Sequence, residues 1–121
     1  MVSKEVLERI PRFIIDEVGE FAENYNKSLS NLKEVQIQQI WYGDGDFEES
    51  RDTLFFITPF AYSDNLENAI SRLEIEIMQK RNFNLHIQTW PCGDDNSENY
   101  GFNEKLFDYS PKNKVITPTS Q

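Results

Sequence analysis

The stretch from Asp52 to Trp90 restricts the fold more than any other part of this chain. Thr53-Leu54-Phe55-Phe56-Ile57-Thr58 is an unbroken, largely apolar run closed by Pro59, the pattern of a strand buried on both faces at the centre of a sheet. Ser63-Asp64-Asn65-Leu66-Glu67 then offers a helix start, with Asp64 placed three residues before Glu67 as in a capping box. Leu66, Ala69, Ile70, Leu73, Ile77 and Met78 recur at spacings of three and four, which predicts one apolar stripe along a helix ending near Lys80 or Arg81. Glu76 and Lys80 form a favourable i,i+4 pair on its wet side. Phe83, Leu85, Ile87 and Thr89 next alternate with Asn84, His86, Gln88 and Trp90, the period-two pattern of a strand with one buried face. The unit is strand, helix, strand.

The rest of the chain is read around this unit. Leu7, Ile10, Ile14, Val18, Phe21 and Tyr25 step by three or four and predict a helix over 3–25, with a kink or restart at Pro11. Its outward face is acidic, carrying Glu5, Glu8, Asp16, Glu17, Glu20 and Glu23. Residues 24–31 are polar and read as a loop. Residues 34–42 read as a strand, with Val35, Ile37 and Trp41 on one side; Gln39 breaks the apolar face and suggests a bulge or a sheet edge. Residues 43–52 and 94–99 are acidic, turn-rich loops. Tyr100, Phe102, Leu106, Phe107 and Tyr109 suggest a short helix or irregular segment docked on the sheet, and 110–121 a flexible tail.

The expected fold is a small single α+β domain over 1–109 in the order α-β-β-α-β plus a short C-terminal element. A sheet of three or four strands carries helices packed on one face. At 121 residues, with aromatic side chains making up 13% of them, the chain has enough apolar surface for one core without disulfides. The single cysteine, Cys92, has no partner for an internal bridge, which agrees with a reducing compartment. Neither a signal peptide nor a run of apolar residues long enough to span a bilayer is read, so the expectation is a cytoplasmic protein with no membrane association.

Charge is the strongest global feature. The net charge is −9, and all 21 acidic residues lie before Tyr109. Such a surface repels nucleic-acid phosphates and anionic lipid, so direct nucleic-acid binding is not expected. Catalytic signatures are missing: His86 is the only histidine, no glycine-rich phosphate loop is present, and no nucleophile elbow occurs. Counted from Asp44, the acidic loop lacks the glycine and glutamate of a calcium loop. No cofactor and no metal site is therefore expected.

Trp41-Tyr42-Gly43-Asp44 followed by Asp52-Thr53-Leu54-Phe55-Phe56 resembles the minimal nucleotidyltransferases, where a Gly-Ser turn precedes an acidic pair at the start of the next strand. Asp44 stands in the serine's place, and Thr53-Leu54 leaves Asp52 without the second carboxylate that two magnesium ions require. No functional residue is carried over from that family.

The leading expectation is a non-catalytic binding domain: an acidic inhibitor or neutralising partner of a basic, nucleic-acid-binding protein, of immunity, antitoxin or anti-defence type. Asp44, Asp46, Glu48, Glu49, Asp94 and Asp95 would face the partner's Lys and Arg side chains, and Phe47 and Trp90 would fill pockets on it. Trp41, Tyr42 and Tyr100 flank the same loops and are further anchor candidates. Two alternatives accompany it. One is a degenerate nucleotidyltransferase-like or metal-binding domain using Asp44 and Asp52. The other is a structural module, a homo-oligomer pairing through the edge of the 34–42 strand.

Overall fold

The computed structural model describes residues 2–43, 52–58, 63–91 and 102–109, with backbone alone at 33, 52–58, 91, 102 and 103. The chain is of mixed helix and strand, as the alternation of periods predicts. Helix α1 (Lys4–Arg9) begins at Ser3, whose Oγ accepts the Val6 N–H at 3.3 Å. It closes with the Ile10 N–H on the Val6 carbonyl at 2.8 Å. Pro11 has no N–H to continue the ladder, so the helix stops and restarts. The Pro11 carbonyl accepts the N–H groups of Ile14 and Ile15, opening helix α2 (Arg12–Ser28).

After a 3-10 turn at Lys33–Val35 the chain enters strand β1 (Gln39–Gly43), followed by β2 (Asp52–Thr58), α3 (Asp64–Arg81), β3 (Leu85–Pro91) and β4 (Phe102–Asp108). The sheet order is β3-β2-β1-β4. β1 pairs antiparallel with β2, from Gln39 opposite Ile57 to Gly43 opposite Thr53, and antiparallel with β4 on its other side. β2 and β3 are parallel, joined through α3 as a crossover unit requires.

One core unites the helices with the sheet. Val6, Ile10, Ile14, Ile15, Val18 and Ala22 from α1, α2 and their junction meet Leu66, Ile70, Leu73 and Ile77 of α3 over Ile40, Tyr42, Leu85 and Ile87. The stripe read for α3 is the buried one, except that Met78 lies on its exposed flank. The helix ends on Asn82, at φ 54°, a left-handed cap that asparagine tolerates and whose N–H reaches the Met78 carbonyl at 2.9 Å.

Several expectations are corrected. The α3 cap is Ser63, not Asp64: its Oγ accepts the Leu66 N–H at 3.3 Å. The strand expected over 34–42 is confined to its last residues. Ile37 is buried, yet its backbone is held by the Asn26 amide, whose Oδ1 accepts the Ile37 N–H at 2.8 Å while Nδ2 donates to the Ile37 carbonyl at 2.9 Å. Asn26 itself lies in α2 rather than in the expected loop. β1 is not an edge, because β2 and β4 occupy both of its sides. The break at Gln39 corresponds to irregular pairing with β4, whose register shifts between Ile40 and Trp41 and again between Tyr42 and Gly43. Those shifts also explain why the C-terminal element, a strand rather than a short helix, has no clean alternation in its sequence. The expected tail at 110–121 lies outside the described residues.

Candidate protein interface

α2 turns Ile14, Ile15, Val18 and Ala22 into the core, so the residues between them face outward. Asp16, Glu20 and Glu23 are exposed and Glu17 is half-buried. They border an open groove of about 710 Å³ between α2 and the C-terminal end of α3, floored by Gly19 and Phe107 and closed by Lys80 and Arg81. Phe13 stands at its rim with 50% of its surface exposed. A second groove of about 490 Å³ shares Glu17, Glu20 and Lys80 and extends to Tyr25, whose hydroxyl is buried without a hydrogen-bond partner among the described residues.

The groove already holds a guanidinium. Arg81 places its Cζ 4.8 Å from the centre of the Phe13 ring, and its Nε donates to Glu17 Oε1 at 3.4 Å. An aromatic face beside a carboxylate is the arrangement that suits arginine, which stacks and donates at once. Lys80 is drawn to Glu76, at 2.9 Å, the i,i+4 pair read from the sequence. That hydrogen bond and the Glu76 charge raise the Lys80 pKa above the ordinary lysine value. Among the described residues four carboxylates therefore line the first groove against two cations.

Phe107 and Tyr109 stack at 6.0 Å and fasten the end of β4 beneath the same helix. The Tyr109 hydroxyl donates to the Gly19 carbonyl at 3.2 Å, and burial, with the Glu23 carboxylate nearby, pushes its pKa up to about 12.

A second polar region lies where α3 passes the outer edge of β3. Glu74 Oε2 accepts the Ile87 N–H at 2.6 Å and stands 3.8 Å from His86 Nδ1. Glu67 Oε2 accepts the Thr89 hydroxyl at 3.1 Å. A groove of about 370 Å³ runs beside them. Among the described residues no three His, Cys, Asp or Glu side chains are placed to hold a metal ion, and no helix is long and apolar enough to cross a membrane.

Of the contact residues expected from the sequence, Asp44, Asp46, Phe47, Glu48, Glu49, Asp94 and Asp95 lie outside the described residues, as do Cys92 and Tyr100. Trp90 is half-buried in β3, opposite Ile57 of β2. Tyr42 belongs to the core at 5% exposure, its hydroxyl accepting from Arg9 at 3.1 Å, and Trp41 donates its indole N–H to Gln39 Oε1 at 3.0 Å. Asp52 opens β2 opposite Leu85 of β3, one residue before Thr53, which pairs with Gly43 at the end of β1. The acidic face of the first helical segment was readable; its groove was not. The signal for the groove is Phe13, a large apolar residue one step out of phase with the buried stripe. No protein-family model matches the chain, and comparison with curated proteins and with solved structures finds no significant match.

Proposed function

We propose that this chain is a non-catalytic protein-binding domain that acts in the cytoplasm as an acidic inhibitor or neutralising partner of a basic protein, of the immunity, antitoxin or anti-defence kind. The observation that carries the reading is the carboxylate-lined groove along α2, with the exposed Phe13 ring beside Glu17 and an arginine side chain already seated on both. A partner that presents Lys and Arg side chains to this face would exchange their hydration for carboxylates held on a rigid helix, with Phe13 as the apolar contact. The acidic segments at 43–52 and 94–99 add negative charge to the same chain and strengthen long-range steering of a cationic surface.

The test is capture from the native cell extract with wild-type protein and with a Glu20→Lys/Glu23→Lys variant, each at low salt and at about 0.5 M salt, where the Debye length falls to roughly 4 Å. A basic protein retained by the wild type at low salt, released at high salt and not retained by the variant supports the reading. Equal retention by both proteins, or retention indifferent to salt, overturns it.

A further inference from the structure

Among the described residues β3 is an outer strand of the sheet, and its edge is a second surface with chemistry to explain. β2 takes the inner edge of this strand in parallel register, so a backbone N–H that meets a side chain of α3 points away from the sheet. That N–H belongs to Ile87, and Glu74 Oε2 accepts it at 2.6 Å, a short bond to an ionisable acceptor. Glu67, two helical turns earlier, holds the Thr89 hydroxyl at 3.1 Å. The groove opens along the strand between these two glutamates, lined also by Ser71 and Gln88, and one turn beyond Glu74 the Met78 side chain is 40% exposed.

We propose that the edge of β3 and its groove form a strand-addition site for an extended cationic segment of a partner protein, with Glu74 as the latch that the incoming strand displaces. A carbonyl of the added strand would take the Ile87 N–H, as in any β-augmentation. Glu74 would then lose the Ile87 N–H and keep His86 at 3.8 Å, a half-buried carboxylate that a cation on the incoming strand can pair with. A Lys or Arg on the added strand supplies that cation, and a second one meets Glu67. Both cations lie on the side of the added strand that faces α3, and its alternate residues, which point to the opposite face of the sheet, are apolar. A second copy of this chain is disfavoured as the occupant, since its own Glu67 and Glu74 would face these two. The site is separate from the α2 face, so either can fail without the other.

The probe is a blocked ten-residue peptide alternating Lys and Val, titrated into the full-length, isotope-labelled protein and followed by amide shifts. Saturable shifts concentrated at Leu85, Ile87 and Thr89, weakened at least tenfold by Glu74→Gln/Glu67→Gln, are expected. The glutamines keep an acceptor for the Ile87 N–H and the Thr89 hydroxyl, so the edge stays intact while its charge is removed. A peptide of the same charge with N-methylated valines, which cannot extend a ladder, is expected to leave these amides unmoved. Equal shifts from the methylated peptide, shifts scattered over the acidic surface, or none at Leu85 to Thr89 overturn the proposal. So do shifts of these amides with protein concentration alone, which would make a second copy the occupant.

Discussion

Gly19 sits in the middle of α2, where glycine costs about 1 kcal/mol of helix stability relative to alanine. The reason for its presence is Phe107: a Cβ at position 19 would lie 2.6 Å from the ring's Cζ and 2.9 Å from Cε1. The ring cannot retreat freely, because it stacks on Tyr109, which is bonded to the Gly19 carbonyl. Overpacking therefore outweighs propensity, and Gly19→Ala is expected to destabilise the protein by about 1–3 kcal/mol, measured by denaturant unfolding. A stabilised variant would mean that the β4 end is loosely seated.

Tyr109 adds a pH dependence at the same contact. Its pKa is raised in the folded state to about 12, first by burial and then by Glu23, so the unfolded chain loses this proton first as pH rises. The contribution is complete below about pH 10 and is lost between about 10 and 12. Screening at a half-buried hydroxyl limits it to roughly 1–2 kcal/mol. The melting temperature of wild type should fall faster than that of Tyr109→Phe across this window; parallel curves would show that the hydroxyl titrates as in the unfolded chain.

At the level of elements, periodicity was legible in α3 and β3 but not in β1, read with Trp41 on its apolar side, where Ile40 and Tyr42 on the other side are the buried residues. α3 follows its stripe from Leu66 to Ile77, and β3 buries Leu85 and Ile87 in alternation. It failed where side chains replace ladders. Ile37 reads as strand because it is apolar and buried, but its N–H and carbonyl are satisfied by one amide from α2, an arrangement with no local signal. Gln36 supports the same junction, donating to the Leu29 carbonyl at 2.7 Å, beyond the last turn of α2. Asn26→Ala leaves both backbone groups of Ile37 without partners and is expected to cost about 2–4 kcal/mol by denaturant unfolding, as two unmet buried groups would. Asn26→Asp, which keeps only the acceptor, should fall between alanine and wild type. A neutral Asn26→Ala would mean that water reaches Ile37.

For the molecule as a whole, the net charge of −9 and the acidic outward face of the first helix are plain in the sequence, but the groove that face borders is not. Charge is additive along a chain, whereas a groove depends on which helices meet; that Glu17 of α2 faces Arg81 of α3, 64 residues away, has no trace in local spacing. The distinction gives a test separating a binding face from an acidic surface that serves solubility alone. Carboxylates at 16, 20 and 23 repel one another across single turns of α2, and this repulsion opposes folding most strongly at low ionic strength. Raising salt from about 0.01 to 0.15 M shortens the Debye length from roughly 30 to 8 Å and should raise the melting temperature. Glu20→Lys/Glu23→Lys relieves the repulsion in place of salt. It is expected to melt higher than wild type at low salt, by a few degrees for a gain of about 1 kcal/mol, and to respond less to added salt. If the face exists for a partner, this more stable variant is also the one that no longer retains it, since the same carboxylates serve both roles. Higher stability with undiminished capture would remove the α2 face from the interface and leave the charge there to solubility.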